Sequence, residues 1–252
     1  MTPSLNQSLA HGLEVLLAFD SGSLALSVLD ISRRLKFSQS KTYRLVRTLI
    51  KYNLIQEIPG AAQYTLGLTA LQLGLLAQKV IKLGAISRPF MSELSHLTRE
   101  TVLLTTVNGT NGLCQEIVEC VEPVRSSTYQ PGERIPLHCG ASGKVLMAYL
   151  SEPEWDRIVA IEGLKSYTRN TITDKKRLKQ HLREIREAGF AFSDREVHED
   201  VLAIAAPIFN VAGQLMAGLS VVIPAYRANK RKIQSFTRLT IEYAGKISST
   251  LS

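Results

Sequence analysis

The 252-residue sequence predicts an α+β fold, in which a short helical part precedes a larger part built from antiparallel strands and helices. Apolar residues recur at helical spacing up to about residue 51, and two short strand-like runs follow them. From residue 101 onward, alternating segments are joined by turns rich in glycine and asparagine, with helical segments between them. Strands and helices do not alternate strictly, so we expect a mostly antiparallel sheet flanked by helices.

Three helices are predicted at the start of the chain. Ser8 can cap the first, and Ser27 can cap the second with Asp30 three residues later, as in a capping box. Ser38 can cap the third, after a short turn at residues 36–37. The apolar positions of the first helix are Leu9, Leu13, Leu16 and Leu17. Helices joined by such a tight turn are typical of the helix-turn-helix arrangement.

The third helix combines an apolar stripe with a basic one. Its apolar positions are Leu45, Val46, Leu49 and Ile50. No acidic residue lies between Ile31 and Lys51, although a solvated helix would normally mix acids with bases. The bases of this segment are Arg33, Arg34, Lys36, Lys41, Arg44, Arg47 and Lys51. The segment therefore predicts a negatively charged partner, and the net charge of +8 is compatible with nucleic acid.

A β-hairpin is predicted directly after this helix, with strands at 54–58 and 63–66 around a Pro59-Gly60 turn. A hairpin in that position is a wing, so residues 1–67 are predicted to form a winged helix-turn-helix that binds a double-stranded DNA operator. The predicted DNA-binding residues are Ser38, Gln39, Ser40, Lys41, Thr42, Arg44, Arg47 and Lys51. Arg44 is the predicted base reader, and Arg47, Thr48 and Lys51 are predicted to hold phosphates. The alternative is that every one of these contacts is to phosphate.

Residues 68–86 predict a linker helix with apolar residues on more than one side, and residues 87–252 predict the second domain. The helices predicted in that domain cover 89–99, 142–150, 152–162, 174–188 and 230–251. Its predicted strands cover 101–107, 113–120, 126–129, 203–209 and 215–223. The second domain therefore contains most of the predicted sheet.

Several classes of protein are not favoured. The chain has no predicted signal segment and no apolar run long enough for a membrane span, so we expect a soluble, cytoplasmic protein without a membrane partner. Its cysteines, Cys114, Cys120 and Cys139, form no C-x-x-C pair, so neither a disulfide framework nor a metal site is predicted. No cofactor is expected.

An enzyme is not expected either. His138 and Cys139 would be neighbours on a strand and point to opposite faces, which excludes a thiol–imidazole pair. Lys144 follows a glycine, but the phosphate-loop pattern G-x-x-x-x-G-K-[ST] is not met. His96, His181 and His198 are scattered without metal-ligand spacing and are interpreted as surface or capped histidines.

The sequence resembles the IclR family of bacterial transcription regulators over nearly its whole length. The matching segments are SLAHGLEVLLAF, SQSKTYRLVRTLIKYNLI, QYTLG, TVLLTTVNG, GERIPLHCGASGKVLMAYL and AGFAFSDREVHEDVLAIAAPIFNVAGQLMAGLSVV, in family order. His11 and Asp200 depart from the family, which usually has Arg and Gly there. The resemblance implies a winged helix-turn-helix, a GAF-like domain that binds a small metabolite, and assembly as a homodimer or homotetramer.

The predicted effector site lies around the turn Gly140–Gly143, between a strand expected to end at His138 and an apolar helix. Free N–H groups at a helix start favour an anion. By resemblance, this turn lies opposite residues 192–196 and the last two strands. The implied effector-binding residues are Ala141, Ser142, Gly143, Ser193, Asp194, Ala203, Ser220 and Val222. Because Ala203 and Val222 are apolar, we expect a small organic acid with an apolar or aromatic body.

The sequence thus predicts a sequence-specific DNA-binding transcription regulator whose operator affinity is controlled by this effector. The alternative is a GAF-like sensor whose helix-turn-helix is a protein-interaction module. Salt-dependent binding to a palindromic duplex would separate the two.

Overall fold

The computed structural model describes residues 6–20, 22–80, 82–119 and 129–251. The chain divides into two compact units, Met1–Lys82 and Leu83–Ser252. The predicted α+β class is confirmed. Of the strand predicted at 126–129, only Tyr129 lies within the described residues, and it is not in a strand. None of the described helices is both long and apolar enough for a membrane span.

The first unit is a winged helix-turn-helix. Its elements are α1 (Gln7–Leu17), α2 (Val28–Leu35), α3 (Gln39–Lys51), β1 (Ile55–Ile58), β2 (Gln63–Leu66) and α4 (Leu68–Val80). Strands β1 and β2 pair antiparallel around the predicted turn, which makes the wing. The turn between α2 and α3 is also as predicted, with Lys36 in the left-handed region at φ 55°.

Local side-chain caps explain where these helices begin. The Ser27 hydroxyl accepts from the Asp30 N–H, and the Asp30 carboxylate accepts from the Ser27 N–H at 2.9 Å, so the predicted capping box is confirmed. Ser38 caps α3, also as predicted. The cap predicted at Ser8 is wrong: α1 begins two residues earlier, at Gln7, and Asn6 Oδ1 accepts from the Leu9 N–H at 3.1 Å.

The core of the first unit is small. It is formed by Val15, Leu26, Ile31, Val46, Leu49, Ile55 and Tyr64. Val15 is the buried residue of α1, whereas Leu9, Leu13 and Leu17 are about half or more exposed. The apolar positions predicted for α1 therefore lie mainly on its outer face.

The second unit is a three-layer arrangement around one sheet. Its elements are α5 (Leu83–Thr98), β3 (Thr101–Asn108), β4 (Asn111–Val118), β5 (Arg134–Ile135), α6 (Gly140–Ala148), α7 (Glu152–Glu162), α8 (Lys175–Ala188), β6 (Ala191–Asp194), β7 (Val201–Phe209), β8 (Leu215–Pro224), the 3-10 turn Ala225–Arg227 and α9 (Lys230–Thr250). The strand order is β5-β4-β3-β8-β7-β6, with every neighbouring pair antiparallel. Alternating strand residues face the two layers of helices.

One face of the sheet packs on α5 and α9, and the other packs on α6, with α7 and α8 outside it. Small strand residues bring α6 close to the sheet. A Cβ on Gly218 of β8 would lie 2.8 Å from Val145 Cγ1 of α6. The sheet residues Ala205 and Ser220, on the same face, are fully buried beneath that helix.

Two predicted boundaries are wrong. The helices expected at 68–86 and 89–99 are instead α4, which ends at Val80, and α5, which runs from Leu83 through Pro89. Pro89 removes one helical hydrogen bond, but burial of Met91 and Leu94 along the same helix outweighs that loss. The strand expected to reach His138 ends at Ile135, because Pro136 has no N–H to continue the ladder.

Candidate functional sites

The outer face of α3 is the candidate nucleic-acid interface. Thr42, Val46 and Leu49 recur at helical spacing and are buried, which turns the opposite side of the helix to solvent. The exposed side chains predicted to bind DNA are Ser38, Gln39, Ser40, Arg44, Arg47 and Lys51. They extend from the helix N-terminus to its last turn.

The cations on this face are not used within the fold. Among the described residues, Arg44, Arg47 and Lys51 have no ion-pair partner, and α3 contains no acid. Arg34 of α2 differs: it donates to the Ala18 carbonyl at 2.9 Å and pairs with Asp20 at 3.4 Å. Within the basic segment, Arg34 thus has a structural role, whereas Arg44, Arg47 and Lys51 on α3 face outward.

Besides Ser38, which caps α3, two more of the predicted DNA-binding residues have local roles in the fold. Thr42 is fully buried, and its hydroxyl donates to the Ser38 carbonyl at 3.0 Å, so its side chain cannot reach a duplex. The sequence suggested otherwise because threonine is more often exposed than buried. Lys41 is half-buried, with its ammonium 3.7 Å from the centre of the Phe37 ring.

A cavity in the second unit is the candidate effector site. It lies between the N-terminus of α6 and the sheet face beneath it and contains about 470 Å³ of space not occupied by atoms, including the part open to solvent. The lining residues are Leu103, Tyr129, Ile135, Cys139, Gly140, Ala141, Ser142, Gly143, Ser193, Val197, His198, Val201, Ala203 and Val222. Ligand sites commonly combine such apolar walls with a few polar groups.

The start of α6 is held against the cavity by two glycines. Gly140 adopts φ +71°, in the left-handed region, and there the chain turns into the helix. A Cβ on Gly143 would lie 2.0 Å from the Pro136 carbonyl oxygen, so only glycine permits this close approach. The first N–H groups of α6 lack helical acceptors and carry positive partial charge, and the residues that hold them, 140–143, line the cavity.

Six of the eight predicted effector residues line this cavity. They are Ala141, Ser142, Gly143, Ser193, Ala203 and Val222. The cross-strand pairs Ser193–Ala203 and Ala203–Val222 bring three of them into one row on β6, β7 and β8. The sequence placed these residues correctly around a cavity; that they bind a ligand stays a prediction.

The other two predicted residues are outside the lining. Ser220 is fully buried behind it, where its hydroxyl accepts from Ser142 Oγ at 2.8 Å. Ser220 therefore orients Ser142 rather than facing the cavity. Asp194 is exposed at the end of β6 and lines a separate groove with Arg177 and His181.

Cys139 and His138 do not form a nucleophilic pair. The two residues lie in the turn before α6 and not on a strand, which corrects the predicted reason but supports the same conclusion. Burial raises the pKa of the Cys139 thiol to about 12, with the nearby Glu196 carboxylate adding to the shift. His138 Nε2 is 2.9 Å from the Lys165 carbonyl oxygen. Cys139 is thus a protonated cavity residue at neutral pH.

Several cavity residues escaped the sequence interpretation, notably Tyr129 and His198. His198 was expected to be a surface or capped histidine, and it lines the cavity together with Val197 and Val201. These residues belong to loops or strand starts without a local pattern. Within the described residues, no group of three His, Cys, Asp or Glu side chains could hold a metal ion.

Lys144 is buried in an ion pair and is not part of a phosphate loop. Its ammonium contacts one Glu196 carboxylate oxygen, lies 3.0 Å from His181 Nε2 and donates to the Phe192 carbonyl at 3.3 Å. The second Glu196 oxygen accepts from the Gly140 N–H at 3.3 Å. Burial lowers the pKa of Lys144, and the nearby Glu196 carboxylate partly opposes this shift by raising it. Burial, followed by the Lys144 charge, lowers the pKa of His181.

Comparisons with known proteins match both units of the chain to domains of one protein family. The family model for the IclR helix-turn-helix domain matches residues 8–59, and that for the C-terminal domain of IclR bacterial transcriptional regulators matches residues 76–249. The transcriptional regulator XynR of Escherichia coli K12 is 28% identical over 240 residues, which cover 95% of this chain and 94% of XynR.

Solved structures have the same fold. An IclR-type transcriptional regulator from Silicibacter sp. TM1040 matches with a TM-score of 0.88 at 23% identity, covering 96% of this chain and 95% of that chain. An IclR homologue from Microbacterium hydrocarbonoxydans, complexed with 4-hydroxybenzoate, matches with a TM-score of 0.78 at 24% identity, covering 96% of this chain and 98% of that chain.

Proposed function

The chain belongs to the IclR family of bacterial transcriptional regulators, and we propose that a small organic acid in the cavity beside α6 controls its affinity for a DNA operator read by α3. It is a DNA-binding transcription regulator whose C-terminal domain binds an effector. The observation that supports the proposal is the cavity itself, which is lined by a helix N-terminus on one side and by apolar strand residues on the other.

On the DNA side, α3 enters the major groove with its exposed face toward the bases. Arg44 lies one turn inside the helix and reads a base edge, for which a guanine is the most suitable partner of an arginine. Arg47 and Lys51 hold phosphates, which contribute affinity without sequence information. The helix N-terminus at Ser38, with no acid in the first turn, binds a further phosphate.

On the effector side, the ligand's carboxylate lies at the N–H groups of Ala141 and Ser142, where the partial charge of the helix favours an anion. The Ser142 hydroxyl donates to Ser220, so its oxygen is left as a hydrogen-bond acceptor beside the cavity. Leu103, Ala203 and Val222 make an apolar wall for the rest of the ligand. The complex of the Microbacterium hydrocarbonoxydans homologue with 4-hydroxybenzoate makes that aromatic acid a suitable first probe.

The test is a titration of operator binding with and without the acid. Binding sites are selected from a random duplex library, and affinity for the selected site is measured at about 50 and 200 mM salt with and without 4-hydroxybenzoate. We expect a palindromic site and an affinity that falls steeply with salt. We also expect the acid to shift the affinity, because an effector that binds one conformation of the protein more tightly than the other changes the population that binds DNA.

Each alternative has its own outcome. Salt-independent association without sequence preference would favour the protein-interaction module. A selected site whose affinity responds to none of a panel of carboxylic acids would contradict the effector class while leaving DNA binding intact.

We also propose that the protein is a homodimer or homotetramer held by α1 and α4. Leu9, Leu13 and Leu17 recur at i, i+4 and i+8 on the exposed side of α1. The exposed leucines of α4 are Leu68, Leu71, Leu73, Leu75 and Leu76. So many exposed leucines on two helices are unusual on a monomer, and a second copy would cover them with two-fold symmetry matched to two half-sites.

Replacement of Leu13 and Leu71 by Glu should give a folded monomer, because a charge is strongly disfavoured inside an apolar interface. Light scattering after size exclusion at micromolar concentration measures the mass, with and without DNA. Ile161→Glu, at an equally exposed apolar position on α7, is the control and should retain the oligomer. A wild-type protein that is monomeric under both conditions would contradict the proposal.

A further inference from the structure

We propose that the buried Lys144–Glu196 pair, which lies outside the cavity lining, sets whether the effector cavity accepts an anion or a neutral molecule. Lys144 favours anions and Glu196 opposes them. The proposal rests on the proposed effector function and identifies two specificity-determining residues that do not touch the ligand. Both act through the N-terminus of α6.

Lys144 cannot bind the ligand directly. Its three N–H groups have three acceptors inside the protein: Glu196, the His181 ring and the Phe192 carbonyl. The side chain is fully buried on α6, the helix whose first residues line the cavity. In this poorly polarisable environment, a full positive charge acts over a longer distance than it would in water.

Glu196 has the opposite effect from the other end of the pair. Its second carboxylate oxygen accepts from Gly140, the first residue of α6 and a cavity residue. An internal carboxylate therefore already occupies part of the helix N-terminus that an acidic effector would use. An incoming carboxylate meets the repulsion of Glu196 together with the attraction of Lys144.

His181 does not add a second positive charge. Because Lys144 donates to Nε2, the ring proton is on Nδ1, which faces Glu184 at 3.4 Å. The lowered pKa of His181 agrees with a neutral ring. Among the described residues, the charged pair that contacts the start of α6 is thus one ammonium and one carboxylate, and removal of either shifts the balance in a known direction.

Cys139 allows this balance to be measured without knowledge of the effector. It lines the cavity at the N-cap of α6, next to Gly140. In a Cys114→Ala, Cys120→Ser background, the rates of alkylation by iodoacetate and by iodoacetamide are compared at alkaline pH over long incubations, because burial keeps the thiol protonated at neutral pH. The reagents are similar in size and differ in charge, so their rate ratio cancels both the thiolate fraction and access to the thiol.

We expect Glu196→Gln to raise the iodoacetate-to-iodoacetamide ratio about tenfold and Lys144→Met to lower it about tenfold. The double variant has no uncompensated charge and should lie near the wild-type ratio. If Lys144→Met fails to fold, Glu196→Gln and the double variant still give the comparison. Lys246→Met and Glu242→Gln, which alter an exposed pair on α9, are matched controls and should leave the ratio unchanged.

A second readout uses calorimetry with 4-hydroxybenzoate and its neutral analogue 4-hydroxybenzamide. The preference for the acid should rise in Glu196→Gln and fall in Lys144→Met by similar factors. An alkylation ratio and an acid preference that are equal in all folded variants would overturn the inference. Failure of both compounds to bind the wild type would count against the proposed effector class, and the alkylation ratio would still decide the role of the pair.

Discussion

Replacement of Arg44 and Arg47 together by Ala is expected to reduce operator affinity by about 100-fold or more. Loss of a base contact by Arg44 should account for about 1–3 kcal/mol, and loss of a phosphate contact by Arg47 adds to it. Both side chains are exposed and have no ion-pair partner among the described residues, so the change should not destabilise the fold. Fluorescence anisotropy with the selected operator measures the effect.

The single variants separate base reading from phosphate binding. Arg44→Ala should relax sequence preference, whereas Lys51→Ala should weaken binding to all duplexes alike and reduce the salt dependence by about one phosphate contact. Arg157→Ala, an exposed arginine on α7, removes the same charge from the second unit and is the control. Unchanged operator affinity in the Arg44→Ala, Arg47→Ala protein would show that α3 is not the DNA-reading helix.

The second large effect is expected in the cavity, where Ala141→Phe should abolish effector binding. Ala141 lines the cavity at the start of α6, and a phenyl ring there would fill the space beside the helix N-terminus. Operator binding without effector should persist, because α3 belongs to the other unit. Calorimetry with 4-hydroxybenzoate and anisotropy with the operator measure the two properties on the same sample.

Further variants distinguish a blocked cavity from a folding defect. Ala141 is buried, and overpacking can cost about 1–3 kcal/mol, so Ala203→Phe on the opposite, less buried wall is the second blocking variant. Ala160→Phe, on the exposed side of α7, controls for the substitution itself. Ser220→Ala should weaken the ligand only severalfold, since Ser220 orients Ser142. A ligand that binds both blocking variants with wild-type affinity must occupy another site.

Features that depend on near neighbours in the chain could be predicted from the sequence. The α2 capping box, the Ser38 cap and the wing hairpin each involve residues a few positions apart. The basic face of α3 follows from the same helical spacing that buries Val46 and Leu49. These patterns are local, so the DNA-reading unit could be predicted closely. The element boundaries at Val80, Leu83 and Ile135 could not be predicted, because tertiary packing and nearby prolines decide them together.

The interior of the second unit depends on contacts between distant residues. Ser142 and Ser220 are 78 positions apart, and Lys144 and Glu196 are 52 apart. A serine or lysine has the same local propensity whether its partner is water or a buried side chain. Only the strand order β3-β8-β7-β6 and its register bring Ser220, and Glu196 just after β6, next to the Ser142 and Lys144 side chains of α6. The sequence by itself thus determined the type of each unit and six of the residues that line the cavity, whereas the tertiary structure decided which polar groups face the cavity and which are paired behind it.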